Sequence, residues 1–261
     1  MARTAGSNGG KTEAALRAAA LTLIARHGYE AVSMRQLATE IGVQAAALYR
    51  YYPTKEDLLH SLLAEHMEKL IAGWQAADPA LASAPERLAA FVRHHVGFHV
   101  ARRHSTHVSN MELRSLSPER LTAILKLRAA YEKNLRTILR DGAEAGEFDV
   151  DDVQLTAMAI IQMITGVIVW FRPDDRLSVG EVTETYLKMT LRLVGSAGAG
   201  GDMKKPPPHR PFGPPLPLPG GEEERCQRWR QPLRPALLSP GQGERWPEGS
   251  VRGWFESGTR T

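Results

Sequence analysis

An all-α fold is what this 261-residue sequence predicts: a three-helix helix-turn-helix unit followed by a helical bundle. Three observations carry that expectation. Apolar residues up to about Gly195 recur at three- and four-residue spacing, and no run alternates as a strand would. Helix starts and stops punctuate the same region at short intervals. The stretch "GVQAAALYRYYPTKEDL", residues 42–58, sets a short alanine-rich run between a Gly-Val turn and Pro53. A helix so short cannot stand alone in water, so it must be held by packing.

The elements follow in order. The first helix spans about Thr12 to His27, with Leu16, Ala20, Leu23 and Ile24 on one face and Gly28 as its stop. Ser33 and Gln36 form a capping-box pattern that opens a second helix, MRQLATEI, closed at Gly42. The alanine-rich run makes the third, ended by Pro53. Thr54 caps a longer fourth helix carrying Leu58, Leu59, Leu62, Leu63, Leu70, Ile71 and Trp74. Further helices are expected near 85–103, 105–115, 118–145, 151–171 and 178–194. Asp78-Pro79, Ser117-Pro118, the Gly142–Gly146 region and Arg172-Pro173 separate them.

Composition changes sharply near Gly195. The segment 196–261 is rich in Pro, Gly and Arg and cannot bury enough apolar surface to offset its ordering entropy, so a disordered tail is expected there. A disordered arm is expected over 1–10, a helix-turn-helix domain over 11–54, and a helical effector and dimerisation domain over 55–195. The tail holds ten Lys/Arg against seven Asp/Glu, and the residues before it 23 against 22. Most of the basic surplus therefore lies in the tail, and net charge alone is poor evidence for nucleic-acid binding. The amino terminus has no apolar signal region. The longest apolar run, 157–171, is interrupted by Gln162 and Thr165 and falls short of the ~20 residues that span a bilayer. A buried helix, no membrane association and a cytoplasmic location are the expectations. Cys226 is the single cysteine, which excludes a disulfide framework and a CxxC metal site.

Two short helices joined by Gly42-Val43-Gln44 and braced by a longer one form the pattern that places a second helix in the major groove of DNA. Leu37, Ala38, Ile41, Val43 and Leu48 make the apolar seam between them. Tyrosines at the end of the short helix offer hydroxyls to phosphates and rings to thymine methyls or sugars, and Lys55 adds a cation. On these residues, and most tightly on "YEAVSMRQLATEIGVQAAALYRYYPTKEDLLHSLL", the chain resembles the TetR family of transcriptional regulators. The resemblance is close from Thr12 to Trp74 and rests on helix number and spacing from about 75 to 194.

The resemblance implies an all-α fold with a three-helix DNA-binding domain followed by a ligand-binding and dimerisation bundle. It places Ser33 and Arg35 at DNA from the second helix. Gln44, Ala45, Ala46 and Ala47 occupy the turn and the start of the recognition helix. Tyr49, Arg50, Tyr51 and Lys55 fall on phosphate- or base-contacting positions. The three alanines depart from the family, which often has Ser, Thr, Lys or Pro there. Alanine contacts a thymine methyl but donates no hydrogen bond, so base reading would rest on Arg35, Gln44, Tyr49 and Tyr51. A homodimer is implied, through the helix at 151–171 and a last-helix face of Val182, Tyr186, Met189 and Leu193. Its two recognition helices would meet half-sites of a palindromic double-stranded operator about 34 Å apart.

"FVRHHVGFHVARRHSTH" gathers five of the nine histidines. His95 and His99, four apart, share a helix face and could hold a metal, but no HExxH pattern or cysteine accompanies them, and neither a metal nor a cofactor is expected. An effector pocket is the functional alternative to water-facing or core histidines. It would be lined by His95, His99, Arg103, Asn110, Met111, Met163 and Gly166, and lie among the helices at 85–103, 118–145 and 151–171. The stretch "NMELRSLSPERLTAILKLRAAYEKNLRTILRDGAEAGEFD" resembles the ligand domain of family members that sense acyl-CoA thioesters; a hydrophobic drug sensor is the rival. An enzyme is not expected: the sequence has no phosphate loop, nucleophile elbow or carboxylate pair with a plausible frame, and a histidine-metal hydrolase is the remote alternative. A nonspecific architectural DNA binder is disfavoured by the near-neutral charge before the tail.

Overall fold

A computed structural model describes residues 7–172 and 176–196, all within one unit of the chain. The tail expected to be disordered, with Cys226, lies outside the described residues apart from Ser196, as do Met1–Gly6 and Pro173. Ten α-helices are described: α1 Ser7–His27, α2 Met34–Glu40, α3 Ala45–Leu48, α4 Lys55–Ala77, α5 Ala84–Ala101, α6 Arg103–Met111, α7 Pro118–Glu144, α8 Val153–Thr165, α9 Val167–Trp170 and α10 Val179–Leu193. A single 3₁₀ turn, Leu113–Ser115, follows α6.

Local chemistry explains the boundaries. The Ser33 hydroxyl accepts from the Gln36 amide at 3.2 Å, and the Gln36 side chain accepts from the Ser33 amide at 2.7 Å, so the expected capping box opens α2. Thr54 and Asp57 do the same at α4, and Ser178 and Glu181 at α10. Gly42 turns the chain at φ +70°, a conformation that other residues resist. Gly142 answers a different need: a Cβ there would come within 2.2 Å of the Phe148 ring, so the close packing of the chain leaving α7 requires its absence.

Several boundaries differ from the sequence reading, among them α6, which ends at Met111 and gives way to the 3₁₀ turn rather than continuing to residue 115. The first helix begins at Ser7 rather than Thr12, so residues 7–10 of the expected disordered arm are helical; extending an existing helix adds a hydrogen bond per residue without a new nucleus. The third helix closes after four residues, and its last turn is completed by Tyr51 and Tyr52 amides donating to the Leu48 carbonyl at 2.9 and 3.0 Å. The apolar run after Asp152 is two helices, α8 and α9, meeting at Gly166. Its window Val153–Trp170, with mean hydropathy 1.8, is by length and composition apolar enough to cross a membrane. It packs here through Ala157, Ile160, Ile164 and Val167 against α5 and α7, but most of the window is not buried, so the expected buried helix is buried along one face only.

One continuous core runs through the described residues. Leu16, Ala20 and Ile24 of α1 join Leu37, Ala38 and Leu48 of the helix-turn-helix, all nearly or fully buried. Trp74, Phe91 and Tyr131 continue the core between α4, α5 and α7, with ring centroids 5.0 and 5.1 Å apart. α4 touches α1 at one end and α5, α6 and α7 along its length, so it connects the helix-turn-helix to the bundle.

Candidate functional site

The helix-turn-helix presents one solvent-facing edge. Ser33, Arg35, Gln44, Ala46, Tyr49 and Arg50 are exposed, while Ala45, Ala47, Tyr51 and Lys55 are partly buried. The alternation follows from packing: Leu37, Ala38 and Leu48 turn inward, so residues one or two positions away turn out. The three tyrosines after Leu48 divide by role. Tyr49 is 50% exposed, whereas Tyr52 is buried. The Tyr52 hydroxyl donates to Glu13 at 2.8 Å and accepts from Arg17, which also bonds Ser61 and pairs with Glu65. Tyr52 therefore ties α1 to α4. Lys55 has a partner of its own: its ammonium donates to the Tyr29 carbonyl at 3.0 Å and sits 4.0 Å from that ring's centroid. Burial, with the Glu56 charge, pushes the Tyr29 phenol up to about 12.

Three contacts link this region to the bundle. The buried Glu112 carboxylate accepts from the Tyr29 amide at 3.1 Å. At the start of α4, Glu56 accepts from the Ser117 amide at 2.7 Å, and Arg120 pairs with Asp57.

In the bundle, two neighbouring cavities share a wall. The outer one, about 830 Å³, is lined by Arg103, His104, His107, Asn110 and Met111 of α6, by Gln162, Thr165 and Gly166, and by Ile168 and Val169 of α9. The inner one, named for the buried histidines on its wall and no more enclosed than the other, is about 310 Å³ and is lined by His66, His95, His99, Tyr131 and Glu132 among others. Asn110, Arg128, Ile161, Gln162 and Thr165 line both. Six of the seven residues expected at an effector pocket thus line one cavity or the other. Met163 lines neither and packs against the core instead. Ile161, Gln162, Thr165, Gly166 and Val169 face the cavities at helical spacing, and Met163 is off that stripe.

The expected location also needs correction. Thr22, Ala25 and Arg26 of α1 form part of the outer wall, so the cavity reaches the amino-terminal helices rather than staying among the bundle helices alone. Nothing in the α1 sequence distinguishes those residues from an ordinary exposed face. Arg128 was missed for another reason: only its position carries a signal, since it falls in the inward stripe Ile124, Arg128, Tyr131, Leu135.

The histidines form a neutral polar cluster. His95 bridges the Tyr131 hydroxyl at 3.2 Å and the Thr165 hydroxyl at 2.9 Å. His99 stacks on His95 with centroids 3.9 Å apart and donates from Nδ1 to the His95 carbonyl at 2.7 Å. His66 bonds Ser105 at 2.9 Å. Burial pushes His66 down to about 3 and His99 to about 4, and holds His95 well below the ordinary imidazole value. Among the described residues no group of three His, Cys, Asp or Glu side chains is arranged to hold a metal.

Comparison with known proteins matches this organisation. Residues 16–62 match the model for bacterial regulatory proteins of the tetR family, and residues 81–194 match that for the tetracyclin repressor-like C-terminal domain. A bacterial regulatory protein in the tetR family from Rhodococcus RHA1 is 35% identical, with a TM-score of 0.69 over 72% of this chain and 98% of that one. The fatty acid metabolism regulator protein of Bacillus subtilis (strain 168) is 27% identical over 66% of this chain and 90% of its own length. AibR, solved in complex with isovaleryl coenzyme A and operator DNA, is 25% identical, with a TM-score of 0.62 over 71% of this chain and 99% of that one. The chain therefore belongs to the TetR family of helix-turn-helix transcriptional regulators.

Proposed function

We propose that the protein is a cytoplasmic, homodimeric repressor that binds a palindromic operator and is released from it by a small-molecule effector, an acyl-CoA thioester, in the two cavities. The observation that carries the reading is the shared wall. A ligand against Thr22, Ala25 and Arg26 presses on the helix whose opposite face, Leu16, Ala20 and Ile24, holds the helix-turn-helix. A ligand that binds better when α1 is displaced lowers operator affinity by the same coupling, typically ~1–3 kcal/mol or about 5- to 150-fold.

Support for the thioester comes from Arg26, Arg103 and Arg172 in the wall of the outer cavity, which suit phosphates better than a hydrophobic drug. The names of two relatives, one regulating fatty acid metabolism and one bound to isovaleryl coenzyme A, point the same way. On the DNA side, Ser33, Arg35, Gln44, Ala45, Ala46, Ala47, Tyr49, Arg50, Tyr51 and Lys55 form the contact set. The dimer forms through α8 and α10, where Leu155, Met158, Met189 and Leu193 are all about half exposed or more.

DNase footprinting of the chain's own upstream DNA tests the reading. Two protected half-sites about one helical turn apart, lost on adding acyl-CoA thioesters, are expected. Absence of a footprint, or a diffuse one, would contradict it.

A further inference from the structure

Arg128 stands out among the cavity residues. Its guanidinium Nη2 donates to the Ser109 carbonyl at 2.7 Å and to the Asn110 side-chain oxygen at 3.0 Å. Its Nε is buried with no hydrogen-bond partner, as is the neighbouring Ser109 hydroxyl. Among the described residues no carboxylate pairs with it: Glu132, the acidic side chain lining the inner cavity, pairs with Arg136. The histidines around it are neutral for the reasons given, so Arg128 is the uncompensated positive charge at the junction of the two cavities. Burying an ion without a carboxylate partner is costly, and with both Nη2 protons spent on Ser109 and Asn110, Nη1 remains to receive an oxygen of an anion.

The inner cavity limits what can bring that anion. Its volume of about 310 Å³ is at the small end of ligand sites. Its polar lining of His66, His95, His99, Tyr131 and Thr165 is largely spent on bonds within the protein, so the unmet demand is the charge of Arg128. A long hydrocarbon chain would leave Arg128 facing methylenes. A short chain ending in a carboxylate would give it a counter-charge.

Resting on the cavities being the effector site, we infer that the inner cavity takes a short acyl chain whose far end carries a carboxylate, held by Arg128. The effector is then of the carboxyacyl type, with its thioester and phosphates in the outer cavity, and not a simple or long-chain fatty acyl thioester. Free dicarboxylates share the recognised group and are separated from thioesters by the test.

Isothermal titration of the full chain with glutaryl-CoA, succinyl-CoA, butyryl-CoA, palmitoyl-CoA and free glutarate tests this. Glutaryl- or succinyl-CoA should bind at least tenfold more tightly than butyryl-CoA, a comparison that needs no variant. Arg128→Gln should weaken glutaryl- and succinyl-CoA at least tenfold and butyryl-CoA far less, so that the preference disappears, and Arg128→Lys should keep part of it. Free glutarate binding as tightly as glutaryl-CoA would retain the anion at Arg128 and assign its source to the free acid. Butyryl- or palmitoyl-CoA binding as tightly as the carboxyacyl forms would overturn the inference and leave the thioester reading standing. Equal weakening of every probe by Arg128→Gln would reduce Arg128 to a structural role and overturn it too. Binding of none of the probes would remove both.

Discussion

Lys55 shows how a side chain can belong to two surfaces. Its ammonium is held by the Tyr29 carbonyl and ring, yet it stands beside the exposed edge of the helix-turn-helix. Lys55→Ala should therefore lower thermal stability by about 1 kcal/mol and also weaken DNA binding uniformly across sequences, flattening its salt dependence. Unchanged melting would show the Tyr29 contact contributes nothing. The histidines give a second expectation at this scale. Their folded-state values lie below the unfolded value of about 6.5, so their contribution is full above that pH and is lost as pH falls toward about 4 for His99 and about 3 for His66. Melting should drop between pH 7.5 and pH 5, with up to about 2 kcal/mol from each buried histidine, and His99→Phe should flatten the drop. A profile as steep in the variant would exclude His99 as a contributor. Residue roles were legible where type and position agree, as at Gly42 and Ser33. Arg128 was not singled out by the sequence because it is a charge on an inward stripe, and Met163, expected at the pocket, is an apolar residue off the cavity stripe.

Helices were legible wherever a cap or a breaker marks an end. Ser33 and Thr54 cap as expected, and Ser178 caps in the same way, since the bonds involved span only three residues. Where tertiary contact decides, the sequence is mute. Nothing local stops the third helix at Leu48, and the break at Gly166 lies inside a run that reads as one apolar helix despite Gln162 and Thr165. The turn between α2 and α3 is the most sensitive element. Gly42→Ala should cost about 1 kcal/mol or more, because Ala resists φ +70° even though a Cβ would meet nothing within 4 Å. Operator affinity should fall with it, read by gel shift beside a denaturation curve. Normal stability in that variant would mean the turn relaxes without strain.

At the scale of the whole molecule, the proposed function rests on a cavity that joins α1 to the bundle and on an apolar face that a second copy would cover. Leu155→Glu with Met189→Glu should yield monomers by sedimentation with the helical content kept, and operator affinity should collapse because two half-sites are no longer linked. A dimer surviving both charges would move the interface elsewhere. Truncation after Ser196 should leave stability and operator affinity unchanged at moderate salt, given a tail unable to build a core. A melting temperature lowered by many degrees would show that the tail docks. The domain order was legible because each unit carries its own periodicity. The α1 wall of the cavity was not, because it exists only once α1 lies against α6.

That wall is tested most directly by operator affinity of the full chain, measured by fluorescence anisotropy with and without the acyl-CoA panel, in the wild type and in Gly166→Leu. Gly166 lines the outer cavity with a helical backbone that accepts a side chain. The variant should bind operator as the wild type does and resist release, while the wild type loses affinity about 5- to 150-fold. Release that is undiminished in Gly166→Leu would contradict the cavity as the seat of the switch.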